Sequence, residues 1–329
     1  MIKLKLCSVL LLFLTACAGT LVNPSKYALA IIAGRSELFF NRRVVYSVDE
    51  HGSLLNINLP TPEQIGSSPE WSPDGRWIVH IYRNPTPRSA SDNDLYLMSI
   101  QDYSKTIRLT NHFKSTSDVI VPQSLSWAPD STQLAIGAYA PNVQSRYGIY
   151  LLDLQCLLTD QNCTPELTLL TPGNYPDWSP DGKRIVYRDA ASDEIYVVDL
   201  DNPTNQAKIS QGLSPCSSPQ WSPDGQKIAF GCNETIYTVD PNGQNLMLLT
   251  SGAISHIRWI SDGKKIAFIG TELLDPNLGK TLNWEGTVSS TAVFIMDPNG
   301  TNIERVTMSN DESIGWFEWL PTSSLQSRP

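Results

Sequence analysis

The sequence predicts an all-β fold: a six-bladed β-propeller of four-stranded antiparallel blades, its ring closed by N-terminal strands pairing with a C-terminal strand. Three observations carry that prediction. A WSPDG segment recurs along the chain, and each copy leads into the same succession of short β-prone runs. The N-terminus also lacks the one strand that the C-terminus has in excess.

WSPDG stands at Trp71–Gly75, Trp178–Gly182 and Trp221–Gly225, with variants WAPDS at Trp127–Ser131 and WISDG at Trp259–Gly263. Trp319 follows a similar approach, ESIGWFEWLP, without the Asp-Gly. The six tryptophans step by 56, 51, 43, 38 and 60 residues, around the period of propeller blades. Pro presets φ and Gly accepts positive φ, so each Pro-Asp-Gly reads as a tight turn.

Each turn is followed by an apolar run: RWIVHIY, QLAIGAY, KRIVYR, QKIAFG or KKIAFIG. Next comes LYLMSI, IYLLDL, IYVVDL, IYTVDP or VFIMDP, then a fourth segment, TIRLT, LTLLT, AKIS, LMLLT or IERVT. Alternating short runs bounded by turn residues read as strands. A four-stranded blade cannot bury both faces alone, so blades must stack in a ring. At the N-terminus VYSVDEHG aligns with IYTVDPNG, and SELFFN before it is the candidate second strand. No WSPDG precedes that stretch, and the missing inner strand is the one around Trp319.

These repeats resemble the WD40-like (PD40) repeats of TolB-type six-bladed propellers over nearly all of residues 36–320. That resemblance implies the architecture and leaves the function open, because related propellers serve as periplasmic scaffolds, as gating domains of oligopeptidases and as lyases. The stretch between Cys17 and the first expected strand is too short for the α/β domain that TolB carries before its propeller.

The chain begins MIKLKLCSVLLLFLTACAG, with Lys3 and Lys5 ahead of an apolar run from Leu6 to Ala16. That run is too short to span a membrane and has the layout of a secretory signal. Leu14-Thr15-Ala16-Cys17 resembles a bacterial lipobox, which implies lipidation at Cys17. The expected organisation is a lipoprotein signal peptide over 1–16, a lipidated linker over 17–35, the propeller over 36–320 and a tail over 321–329. The predicted location is the extracytoplasmic side of a bacterial envelope, held to a membrane by the lipid; two or three acyl chains anchor firmly where one is marginal.

The chain carries 24 Lys+Arg against 33 Asp+Glu, a formal net charge of −9. Losing Lys3 and Lys5 with the signal leaves 22 against 33, so the charge becomes −11. No basic run stands out, which argues against a nucleic-acid partner. Cys156, Cys163, Cys216 and Cys232 remain beyond the signal, an even number that favours disulfides in an exported chain. Cys216 and Cys232 stand symmetrically about the SPDG turn, so they face each other across a hairpin. Cys156 and Cys163 bracket the insertion QCLLTDQNCTP and would close a small loop.

No G-x-S-x-G nucleophile elbow or zinc-protease motif occurs, and His51, His80, His112 and His256 are scattered singly. LGKT at Leu278–Thr281 lacks the leading glycine of a phosphate loop, since Leu274 stands there. Asp74, Asp130, Asp181, Asp224 and Asp262 recur once per blade, and turn capping accounts for them better than calcium. The expectation is therefore no enzyme, no metal and no cofactor.

In a four-stranded blade the second turn and the link to the next blade share one face of the ring. Long insertions gather there: Arg83–Asp94, Ala140–Tyr147 and Gly270–Thr291, with the link Asn111–Pro122. They carry Arg83, Arg88, Asp92, His112, Tyr139, Arg146, Tyr147, Trp284 and Glu285, rich in the residue types of interaction hot spots. The functional expectation is a monomeric, lipid-anchored propeller that scaffolds an envelope protein partner through this face. The alternative is a propeller that binds or processes a glycan or small molecule.

Overall fold

The computed structural model describes residues 29–35, 43–48, 54–55, 67–83, 93–99, 102, 105–112, 120–139, 146–159, 163, 165–252, 254–271, 291–305 and 312–319. The expected signal peptide, Cys17 and the tail after 320 lie outside these residues. So do Arg88, Asp92, Trp284 and Glu285.

The N-terminal strands are β1 (Leu29–Arg35), β2 (Arg43–Val48) and β3 (Leu54–Leu55). Blade 1 follows with β4 (Ser67–Trp71), β5 (Trp77–Arg83), β6 (Asn93–Ser99) and β7 (Thr106–Arg108). Blade 2 comprises β8 (Val121–Trp127), β9 (Gln133–Tyr139), β10 (Tyr147–Asp153) and β11 (Leu167–Thr171). Blade 3 comprises β12 (Gly173–Trp178), β13 (Arg184–Asp189), β14 (Ile195–Asp199) and β15 (Gln206–Lys208). Blade 4 comprises β16 (Cys216–Trp221), β17 (Ile228–Cys232), β18 (Thr235–Val239) and β19 (Met247–Ser251). Blade 5 comprises β20 (Ile254–Trp259), β21 (Ile266–Thr271), β22 (Thr291–Met296) and β23 (Glu304–Arg305). The last strand is β24 (Glu312–Trp319).

Two details differ from the expectation. The expectation is six blades, one of them shared between the chain ends; the structure has five blades of consecutive strands, and the sheet that joins the two ends is a composite of the expected mixed origin, in the order β24-β1-β2-β3. The second strand of that composite is Leu29–Arg35, inside the stretch read as linker, and not SELFFN. Ile31 pairs with both Phe317 and Tyr46, so β1 fills the slot between the two chain ends. The reason is register: β1 pairs with β24 along one edge and with β2 along the other, which fills the second-strand position.

Local chemistry explains the repeat. In blade 3, Gly182 donates its N–H to the Ser179 carbonyl at 2.9 Å, and its φ of +72° is one that only glycine adopts freely. Asp181 accepts from Ser179 Oγ and from the Lys183 N–H at 3.1 Å, while Ser179 Oγ accepts the Arg184 N–H at 2.9 Å. Blade 4 repeats the set with Ser222, Asp224, Gln226 and Lys227. Hydrogen bonds from Ser222 and the Gln226 N–H hold the Asp224 carboxyl below its ordinary value, and those from Ser179 and Lys183 do the same for Asp181. The recurring aspartates are thus turn caps.

The core lies between blades. The second strands are covered on both faces, so Ile185–Tyr187, Ile228–Phe230 and Ile266–Ile269 are buried runs, while outer β15 is wholly exposed. Tryptophans pack against the neighbouring blade: Trp178 joins Ala128, Ala135 and Ile149, and Trp221 joins Val186, Ile195 and Val197. Burying such a side chain contributes about 2 kcal/mol or more. Cys216 and Cys232 are register partners bonded as a disulfide with Cα atoms 4.1 Å apart. Cys156 and Cys163 form the other disulfide, tying down a short helix, α1 (Gln155–Thr159), in its insertion.

Candidate functional site

Every first strand ends on its tryptophan, and the residue just before that tryptophan lines the ring axis. These residues are Glu70, Ser126, Asp177, Gln220 and Arg258 in blades 1 to 5. With the tryptophans and with Pro180 and Pro223 of the turns they enclose a cavity of about 230 Å³. It lies at the SPDG end of the axis, opposite the insertion-rich face on which sequence reasoning expected binding.

A β-bulge in each of the five first strands prepares this geometry. The register slips by one residue between Ser67 and Glu70, Pro122 and Ser124, Asn174 and Asp177, Ser217 and Gln220, and Ser255 and Ile257. An inserted residue bends the strand and re-aims the side chains after it. Tyr175, Ser218 and His256 sit in these bulges at φ of +53°, +51° and +49°. Pro69, Pro176 and Pro219 are tolerated because the first strand is an edge whose free side faces the axis.

The cavity wall is hydrogen-bonded around the ring. Arg258 Nη2 reaches Glu70 Oε1 at 2.6 Å, with both side chains 14% exposed. Asp177 accepts the Trp221 backbone N–H at 2.7 Å and the Ser126 hydroxyl at 3.3 Å, and Ser126 Oγ accepts the Trp178 N–H at 3.1 Å. The Trp127 indole donates to the Glu70 carbonyl at 3.1 Å, and that of Trp259 to the Gln220 carbonyl at 3.2 Å. Such a wall can offer carboxylate, amide, hydroxyl and guanidinium groups to a small polar ligand. Among the described residues, no group of three or more His, Cys, Asp and Glu side chains is placed to share a metal ion.

Sequence reasoning missed these axial residues. Their signal was available: the position before each tryptophan is polar in all six copies, as Glu, Ser, Asp, Gln, Arg and Glu.

Of the expected binding residues, Tyr139 and Tyr147 are register partners at the insertion end of blade 2, with ring centroids 5.6 Å apart, edge to face. Arg146 directly precedes Tyr147, exposed, at φ +61°. Arg83 ends β5 and His112 closes a 3-10 turn, Leu109–His112; their side chains are outside the described set. The structure therefore brings together Tyr139, Arg146 and Tyr147; Arg83 and His112 are described in backbone only, and Arg88, Asp92, Trp284 and Glu285 lie outside the described residues.

One known domain family, the TolB beta propeller domain (PD40), matches residues 112–280, just over half of the chain. The chain belongs to this family. No curated protein matches it by sequence. Among solved structures it is similar to a protein assigned as a TolB in Agrobacterium tumefaciens, with 20% identity over 90% of this chain and 99% of that one and a TM-score of 0.57. It is also similar to a chain of a nidogen/laminin complex, at 10% identity over 89% and 98% of the two chains and a TM-score of 0.58. An oligogalacturonate lyase of Vibrio parahaemolyticus matches at 13% identity over 84% and 78%, with a TM-score of 0.52. At these identities the three likenesses show the fold alone. The two disulfides of this PD40 protein belong to an oxidising, extracytoplasmic compartment. No helix among its described residues is long and apolar enough to cross a membrane.

Proposed function

We propose that this PD40 protein is a lipid-anchored scaffold of a bacterial envelope, acting by binding a protein partner and not as an enzyme. In this reading the composite sheet serves as a sixth blade that closes the ring, and the signal segment delivers Cys17 for acylation. The observation that carries it is the Tyr139–Tyr147 pair beside exposed Arg146. Two aromatic rings on paired strands form a preformed contact surface that loses little side-chain entropy on binding.

The test is photo-crosslinking in living cells from a benzophenone amino acid at position 146, with position 226 on the other face as control. A dominant protein adduct from 146 alone supports the scaffold; glycan adducts only, or none, reject it.

One observation favours a second reading. Glu70, Asp177 and Arg258 share the axial cavity, a wall suited to a saccharide or small polar molecule. Calorimetry with acidic oligosaccharides, comparing the protein with an Asp177→Asn variant, separates the two: heat that the variant loses places the ligand at the axis.

A further inference from the structure

We infer that the face carrying the SPDG turns is the membrane-facing surface of the ring, with a lipid bilayer as its partner, an orientation that rests on the lipid anchor proposed above. Register shows where the chain enters. Leu29, the first residue of β1, lies opposite Trp319 on one side and Val48 on the other. Trp319 holds the place in β24 that Trp71, Trp127, Trp178, Trp221 and Trp259 hold in their strands, at the end leading to the SPDG turn. The polypeptide therefore joins the ring at the SPDG face.

Twelve residue steps separate Cys17 from Leu29. Twelve residues fully stretched span at most about 40 Å, and a random-coil linker of that length typically spans about 20 Å. A first strand of six or seven residues is itself about 20 Å long. To lay the opposite face on the bilayer, the tether would have to run down the whole blade and still reach the lipid. That consumes its typical length before any loop is cleared. With the SPDG face down, the tether reaches the lipid directly.

The side chains suit that contact. Arg76, Lys183 and Lys264 stand exposed on this face. Arg76 lies 2.6 Å from Asp74 and Lys264 lies 3.8 Å from Asp262, so these two turns carry both signs of charge. Such a surface meets phosphate-and-amine headgroups without burying a charge. Two consequences follow: the axial cavity sits at the membrane end of the ring, and the Tyr139–Tyr147 pair points away from the bilayer.

The experiment uses the lipidated full chain in vesicles of phosphatidylethanolamine and phosphatidylglycerol doped with nickel-chelating lipid. A fluorophore is placed at Gln226→Cys, on the SPDG face, or at Ala191→Cys, in a second turn at the opposite end; both residues are exposed. Nickel quenching is read after flotation. The expected result is at least about twofold stronger quenching at 226 than at 191, reflecting the strand length between them. Inserting twelve Gly/Ser residues after Cys17 brings the ratio toward one. Equal or inverted quenching in protein that floats overturns the orientation while leaving the anchor intact. Protein that fails to float, or floats equally as Cys17→Ala, overturns the anchor and the orientation with it.

Discussion

Arg258 and Glu70, 188 positions apart in sequence, are joined by a 2.6 Å ion pair at the ring axis. Blade 5 is thereby tied to blade 1 past the composite sheet, whose strand β24 contacts both β20 and β4. Removing one partner takes a close ion pair away from a charge that water reaches poorly. Arg258→Met and Glu70→Gln should each cost about 2–4 kcal/mol, and the double variant should cost less than the two together. A double-mutant cycle from urea unfolding measures the coupling; strict additivity would show that the pair is incidental.

His80 should make stability depend on pH. Burial lowers its pKa to about 4, from an ordinary value of 6.5, as it lies stacked on Tyr96 with ring centroids 5.6 Å apart. Protonation is thus easier in the unfolded chain. Stability contributed by neutral His80 is complete above pH 6.5 and is lost as pH falls toward 4, by about 3 kcal/mol in all. His80→Phe keeps the stacking and should flatten that part of the stability profile. A slope unchanged in the variant would assign the dependence to other groups.

The Cys216–Cys232 bond spans 16 residues, closing the first hairpin of blade 4. Replacing both cysteines by serine should lower stability by about 2–3 kcal/mol through the freer unfolded chain. Thermal unfolding with and without reductant checks this, because reduction should not affect the 216/232 variant at that bond. An equal loss in both proteins would place the effect at Cys156–Cys163.

Gly137 answers a packing demand. A β-carbon there would collide with Asn174 Oδ1 and Ser124 Oγ, two atoms that are hydrogen-bonded to each other at 2.7 Å. Gly137→Ala should cost about 1–3 kcal/mol by overpacking, whereas Gly231→Ala, whose nearest atom is Ile257 Cδ1 at 3.5 Å, should cost less. Chemical denaturation of the two variants gives the comparison, and an inverted order would contradict it.

Blades were legible in the sequence wherever turn chemistry and strand period agreed, as at Ser222–Lys227 and the run after it. The Cys216–Cys232 bond was legible because a hairpin turn fixes which residues face each other. Strand β1 was not: LAIIAGR has no tryptophan turn before it, and the aromatic SELFFN offers stronger β-propensity. The axial set escaped because Glu70, Ser126, Asp177, Gln220 and Arg258 share a position and not a chemistry. Only closure of the ring lets Glu70 meet Arg258, and no local pattern reports an interaction across that separation.

The composite sheet also sets a clock. Strand β1 begins at Leu29 and its neighbour β24 at Glu312, so β1 leaves the ribosome or an export channel long before its partner. Until then β1 lacks its pairing partner along that edge. Distant pairing of this kind slows folding and prolongs exposure of sticky edges. Truncation before Glu312 should therefore yield aggregates and not a five-bladed remnant, and helpers that shield β1 during export should govern how much protein matures.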